Sequence, residues 1–159
     1  MLFEQKDSKL KLLFYIYFLF MLLFYLGYTL LWNHRMNMSE HWQSVNNFRE
    51  EDMETLTRLA NWTEVFELAF VILFISMSIF YFYKYRKDKN NILIVKQYLF
   101  VHLFLLIIIV TSSFILARVT PLLIGNLLVP LYMPAIIFVG LLCYMVLGLI
   151  KSNRLNSGL

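Results

Sequence analysis

The sequence predicts an all-α integral membrane protein: a four-transmembrane-helix bundle, N-in and C-in, with an extracytoplasmic amphipathic helix between helices 1 and 2. Three observations lead to this fold class. Hydrophobic residues make up 60% of the 159 residues and charged residues only 15%, against roughly 25% in an ordinary soluble domain. The apolar residues form four blocks, each long enough to cross a bilayer as a helix. The basic residues lie mostly on one side of those blocks.

The first apolar block, 10–32, is interrupted only by Lys11 near its start. A helix rises about 1.5 Å per residue, so about 20 apolar residues cross the roughly 30 Å of hydrocarbon. Each span should be a helix, because every backbone group in lipid needs a partner and the alternating pattern of a barrel strand is absent from the sequence. Trp32-Asn33-His34-Arg35 follow in place of a small-residue cleavage site, which predicts a retained anchor and not a removed signal peptide.

The outer loop, 33–62, is the longest polar segment. Its apolar residues recur at helical spacing, with acidic residues between them, and these apolar positions are Trp42, Val45, Phe48, Met53, Leu56 and Leu59. The pattern predicts an amphipathic helix over about 42–59, lying on the outer membrane face or across the mouth of the bundle. Such a helix would serve either as a lid on its own bundle or as a docking surface for an external partner.

The remaining elements follow in the same way, and all belong to one membrane domain, 1–159. Asn61 and Glu64 have the spacing of an N-terminal capping box for the second span. The predicted order is second span 63–83, cytoplasmic loop 84–93, third span 94–117, outer loop 118–126, fourth span 127–150 and cytoplasmic tail 151–159.

The orientation comes from the basic residues. Ten of the 14 lysines and arginines lie in the tails and the middle loop, or at the edges of the spans beside them, and four lie on the other side. The positive-inside bias therefore places the termini and the middle loop in the cytoplasm. The net charge of +4 is thus a signal of topology. No nucleic-acid-reading element accompanies it, so the expected partners are membrane lipid and a membrane protein or a second copy of the chain, and no nucleic acid.

The residues that carry chemistry are few, and no catalytic, cofactor or metal site is predicted. A lone cysteine, Cys143, excludes an intrachain disulfide and is expected to be a small apolar filler. His34 and His41 in the outer loop have no third metal ligand at a defined spacing. His102 is the one histidine inside a predicted span, so it is a candidate functional ionisable group. The competing interpretation is a neutral imidazole that is hydrogen-bonded to a neighbouring helix.

Polar residues also collect at the outer ends of the last three spans. This candidate polar niche consists of Glu64, Glu67, Thr111, Ser112, Ser113, Arg118, Asn126 and Pro130. Because Pro130 and Pro134 lack an N–H, the carbonyls of Asn126 and Pro130 need other partners. Either the niche satisfies itself, with Arg118 paired to Glu67, or it is a water-filled pocket that admits a ligand or a partner's side chain.

The function expected from these features is that of a small non-enzymatic membrane protein that acts through protein contacts. Accessory subunits, assembly factors, regulators and immunity-type inhibitors belong to this class. Small residues that allow close helix approach occur in pairs, namely Ser113 with Ala117, Ala69 with Ser76 and Gly140 with Gly148. A small oligomeric transporter or channel is the alternative, and a membrane enzyme of unrecognised type comes third. The abundance of Phe, Tyr, Ile, Lys and Asn favours an AT-rich bacterium and its plasma membrane.

Overall fold

The chain is almost entirely helical, and the computed structural model describes residues 8–45, 49–85, 91–120 and 122–156. Its elements are α1 (Ser8–Val45), α2 (Glu50–Tyr85), α3 (Asn91–Val119), α4 (Ile124–Leu127), a 3₁₀ turn (Val129–Leu131) and α5 (Tyr132–Asn156). Four segments are long and apolar enough to cross a membrane, namely Leu12–Trp42, Glu50–Lys84, Val95–Val119 and Val129–Leu147. This confirms the predicted number of membrane-length helices and fits a multi-pass membrane protein.

The predicted separate amphipathic helix over 42–59 is wrong. α1 continues without a break through Trp42 to Val45, and α2 starts at Glu50, so the segment belongs to the ends of two long helices. The backbone N–H of Arg49 donates to Asp52 Oδ2 at 3.0 Å, and the N–H of Asp52 donates back to the Arg49 carbonyl at 3.1 Å. This cap, with three acidic residues in the first turn of α2, starts the helix well before Asn61, and the capping box expected at Asn61 therefore does not form.

The first two helices are longer than a bilayer requires. At about 1.5 Å per residue, the 38 residues of α1 span about 57 Å and the 36 residues of α2 about 54 Å. α4 lies level with Tyr28, because the Tyr28 hydroxyl donates to the carbonyl of Asn126. From Tyr28 to Val45, α1 rises about another 25 Å. We call the outer part of this rise together with the facing part of α2, residues 33–45 and 49–61, the hairpin extension.

The core lies between α1, α2 and α3. Its buried side chains recur three or four residues apart along each helix, and they include Phe14, Tyr17, Met21, Tyr25, Phe70, Phe74, Met77, Tyr81, Tyr98, Leu105 and Ile109. α1 packs along α2, and α3 packs along α5. α5 adds only the partly buried Ile137 and Leu141 to this core. Only 17% of its membrane-length span is buried, against 28% to 33% in the other three.

The fourth predicted span, 127–150, is not one continuous helix. α4 ends at Leu127, the 3₁₀ turn contains Pro130, and α5 starts only at Tyr132 and runs to Asn156, into the predicted tail. The break has a local cause, because a proline has no N–H to donate to the preceding turn and its ring crowds the carbonyl there. Pro130 and Pro134 are both buried, so the bend is packed against the rest of the chain.

Two glycines have opposite surroundings. A Cβ at Gly27 would lie 2.6 Å from Cδ1 of the Phe66 ring and closer still to Cε1, so α2 packs its ring directly on the backbone of α1. A Cβ at Gly140 would meet nothing within 4 Å. Cys143, one helical turn further along α5, is exposed and does not fill the core. Gly140 and Cys143 therefore do not pack against other helices in the described part of the chain.

Candidate functional site

Three tyrosines of α1 project into the bundle. Tyr17, Tyr25 and Tyr28 are 3%, 4% and 1% exposed, because their spacing places them on the same helical face as Met21. A hydroxyl buried at membrane depth needs a hydrogen-bond partner. The partners all lie later in the chain: Tyr17 Oη is 3.0 Å from His102 Nε2, Tyr25 Oη is 2.5 Å from Ser113 Oγ, and Tyr28 donates to the Asn126 carbonyl at 2.7 Å. We call these contacts the tyrosine links.

The hydrogen bonds of His102 define its tautomer. Its Nδ1 lies 2.9 Å from the carbonyl of Tyr98, one turn earlier on α3. A carbonyl only accepts, so Nδ1 carries the hydrogen and Nε2 of the neutral ring accepts from the Tyr17 hydroxyl. The imidazole is 1% exposed, stacks on the Tyr98 ring with centroids 4.0 Å apart, and meets the edge of Phe74 at 5.3 Å. His102 is thus held from three sides.

The network continues from α3 to α2. The hydroxyl of Tyr98 contacts Ser78 Oγ, and Ser78 donates to the carbonyl of Phe74 at 2.7 Å. Since the one hydrogen of Ser78 is used in that bond, Tyr98 is the donor to Ser78. Tyr17, His102, Tyr98 and Ser78 therefore form one network across α1, α2 and α3, in which each hydroxyl and each ring nitrogen has a partner.

The predicted polar niche is assembled only in part. Ser113 and Pro130 are buried, Glu67, Ser112 and Asn126 are half-buried, and Glu64, Thr111 and Arg118 are exposed. Ser113 donates to its own helix at the Ile109 carbonyl, 2.8 Å away, in addition to its contact with Tyr25. Pro130 has no N–H to offer the carbonyl of Asn126, and the Tyr28 hydroxyl donates to that carbonyl. The structure thus supplies partners from α1, which the niche did not include.

The expected pair between Glu67 and Arg118 does not form. An ion pair does form between Arg58 and Glu54, 3.0 Å apart on the surface of α2. Arg118 lies exposed near the end of α3, where a long side chain keeps its charge in a polar environment. Glu67 and Arg35 each act electrostatically on the Tyr28 hydroxyl.

Two buried polar atoms lie just beyond Tyr28. Trp32 Nε1 and Asn33 Oδ1 have no hydrogen-bond partner among the described residues. The Trp32 ring lies 5.8 Å from that of Tyr28, and the guanidinium carbon of Arg35 lies 4.1 Å from the centroid of the Trp32 ring. A cation over an indole face is stabilising by about 0.5–1 kcal/mol at an exposed site. These residues mark the base of the hairpin extension.

Comparisons with protein-family models, with curated proteins and with solved structures find no match. The function must therefore be argued from the arrangement of side chains itself. No group of three His, Cys, Asp or Glu side chains suited to a metal occurs among the described residues.

The residues that organise this site do not belong to the predicted niche, and they are Tyr17, Tyr25, Tyr28, Tyr98 and Ser78. A signal for three of them was present, because the α1 tyrosines share a helical face with Phe14 and Met21. A polar tip repeated on the inner face of a span indicates hydrogen bonds to neighbouring helices.

Proposed function

We propose that this chain is a non-enzymatic, multi-pass protein of a bacterial plasma membrane that acts through contacts with another membrane protein. The hairpin extension is the contacting part and lies outside the cell, with both termini in the cytoplasm. The observation that carries the proposal is the length of α1 and α2, which continue together about 25 Å beyond the level of Tyr28 and α4. A helical hairpin of that length needs a purpose other than crossing the bilayer.

The polar side chains inside the bundle favour a function in protein binding over an enzymatic one. Its polar side chains are engaged with one another or with their own helices, as the tyrosine links show and as Thr29 and Thr63 do by donating to carbonyls of their own turns. A catalytic set needs an acid, base or nucleophile that is poised to meet a substrate. The groups of that kind inside the described bundle, His102 and the tyrosines, are already in structural hydrogen bonds.

One exposed face of the hairpin extension has the composition of a contact surface. Met53 is 54% exposed, and it is the large hydrophobic side chain that the described part of the extension leaves most open. Helical spacing places Glu50, Glu54, Thr57 and Asn61 on the same face, and all are exposed. An apolar centre with a polar rim is typical of protein interfaces.

The experiment is co-purification in mild detergent, with a matched pair of variants. Thr57 and Thr55 are both exposed, and each donates its hydroxyl to its own helix, at 2.8 Å and 3.0 Å. Thr57 lies on the Met53 face and Thr55 on the other flank of α2. Thr57→Arg should remove a stoichiometric membrane-protein partner, and Thr55→Arg should leave it bound. Substrate flux by the purified chain in vesicles, with no partner recovered, would instead favour a transporter.

The proposed orientation has its own test, in a Cys143→Ser background. A cysteine at Thr55 should react with an impermeant thiol reagent added to intact cells, and cysteines at Asn90 and Asn156 should not. The reason is the excess of basic residues beside the latter two positions, which retains those segments in the cytoplasm. The measurement is the labelled fraction before and after the cells are opened. Labelling of Asn156 in intact cells would reverse the proposed topology.

A further inference from the structure

α1 packs along α2, and α3 packs along α5, which gives two helix pairs. The hydrophobic core between α1, α2 and α3 joins the two pairs, and polar contacts cross the same interface. The tyrosine links run from α1 to α3 or, for Tyr28, to α4, the short helix between α3 and α5. α1 and α3 run parallel, because the partners of Tyr17, Tyr25 and Tyr28 increase in number in the same order. Tyr17 with His102 is the link furthest from the hairpin extension.

We propose that the hydrogen bond between Tyr17 and His102 is a proton-sensitive latch that holds the two helix pairs together. Among the tyrosine links, this one alone contains a group that changes its charge near neutral pH. The closed contact needs Nε2 of His102 to be an acceptor, because Nδ1 already donates to the Tyr98 carbonyl. A protonated imidazole has an N–H on both nitrogens and accepts nothing.

Protonation therefore conflicts with the closed geometry. If Nε2 became a donor, the Tyr17 hydroxyl would have to turn its own hydrogen away from His102. The rings beside Tyr17 are those of Phe14 and Phe18, at 6.3 Å and 5.5 Å between centroids, and neither accepts a conventional hydrogen bond. A buried donor without a partner is destabilising. Protonation of His102 thus destabilises the closed latch.

Among the residues that the structure describes, no opposite charge faces the imidazole to accommodate an imidazolium. From α1 the titratable group that faces His102 is Tyr17, and from α3 it is Tyr98, whose ring is stacked on the imidazole. From α2 the ring that meets the imidazole is that of Phe74, which is apolar. In the described bundle the carboxylate of Glu67 acts on Tyr28, near the base of the hairpin extension. A protonated His102 is therefore favoured only when the two helix pairs separate and admit water.

The expected size of the effect follows from simple linkage. A solvated imidazole is half-protonated at about pH 6.5. If only the separated state takes up this proton, the ratio of separated to closed molecules should rise about tenfold from pH 7.5 to pH 5.5. The two pairs should separate at the level of Tyr17, while α1 and α2 stay together.

The test measures distances between spin labels in the full chain in lipid nanodiscs, in a Cys143→Ser background. Labels are placed at Tyr15 on α1 and Phe100 on α3, which are 73% and 57% exposed. They should show a second, longer distance, and the ratio of molecules with the longer distance to those with the shorter one should rise about tenfold from pH 7.5 to pH 5.5. Labels at Tyr15 and Ile79, within the first pair, should show an unchanged distance. His102→Gln keeps an acceptor for Tyr17 but takes up no proton, so its distances should not depend on pH.

A measurement on the wild-type chain avoids dependence on any variant. Nitrogen-15 NMR of labelled histidine should give His102 as the Nδ1–H tautomer at pH 7.5, with a doubly protonated signal appearing only in step with the longer distance. Two results would overturn the latch: an Nε2–H tautomer at pH 7.5, or a pH-dependent separation that persists in His102→Gln. A wild-type distance that is the same at pH 7.5 and pH 5.5 would overturn it as well.

Discussion

Replacing Gly27 with alanine should destabilise the chain by about 1–3 kcal/mol, the usual cost of overpacking a close contact. The added methyl group would overlap the ring of Phe66, which rests on the backbone of α1 at that point. The ring of Phe24 lies beside that of Phe66, at 6.2 Å between centroids, and restricts the movement of the Phe66 ring on that side. The ring and the helix must therefore move apart, which loosens the α1–α2 pair along its length. The free energy of unfolding in mixed micelles is the quantity to measure.

Gly140→Ala is the matched control for that experiment. The chemical change is identical and the site is also inside a long helix, but a Cβ at Gly140 meets nothing within 4 Å. Its free energy of unfolding should stay within about 0.5 kcal/mol of wild type. A second check uses a Phe66→Ala background, in which Gly27→Ala should lose its cost because the overlapping ring is gone. Equal costs of Gly27→Ala with and without the ring would show that Phe66 is not responsible.

Tyr98→Ala should have a larger effect still, about 3–5 kcal/mol, as for other aromatic residues deleted from a core. The Tyr98 ring is 1% exposed and stacks on His102. It also lies 5.4 Å from the ring of Tyr81 and 5.1 Å from that of Phe82. Its removal leaves a cavity where α2 and α3 meet, and it frees the imidazole to turn away from Tyr17. The unfolding transition should move to a lower fraction of denaturing detergent.

Tyr98→Phe separates the ring from its hydroxyl. This variant keeps the stack on His102 and loses only the hydrogen bond to Ser78, which retains its own bond to the Phe74 carbonyl. Interhelical hydrogen bonds in membranes contribute on average about 0.6 kcal/mol, so the variant should remain close to wild type. If Tyr98→Phe were as unstable as Tyr98→Ala, the hydroxyl and not the ring packing would be the main stabilising part.

The membrane-length helices could be predicted because their signal is local. Blocks of apolar residues specify helices in lipid whatever their neighbours are. The residues at which the helices end are less predictable than the helices themselves. The end of the apolar block predicts that the first span ends at Trp32, yet the residues that follow include neither glycine nor proline as far as Val45, and α1 passes through them. Polarity indicates where a helix leaves the bilayer, whereas a helix ends where its hydrogen-bonding pattern stops, as Arg49 and Asp52 show.

The candidate site was harder, because its contacts join residues far apart in the sequence. Tyr17 and His102 are 85 positions apart, and Tyr28 and Asn126 are 98 apart. Nothing in the local pattern says which of several helices a buried hydroxyl will face. The predicted niche groups polar residues of the outer half of the bundle, so it includes Thr111 and Arg118, which lie on the exposed side of α3. The depth of a residue along a helix follows from counting residues. The direction in which its side chain points depends on how all the helices of the bundle pack.

The hairpin extension also acts as a rigid arm. Two paired helices resist bending, so the outer end of the α1–α2 pair tilts together with the part inside the bilayer. The distance from the level of Tyr28 to the tip is about 25 Å, so a tilt of about 10° displaces the tip by about 4 Å. This displacement exceeds the length of a hydrogen bond. A change in the packing of the α1–α2 pair against the α3–α5 pair would thus move Met53 and its neighbours, far from the site of that change.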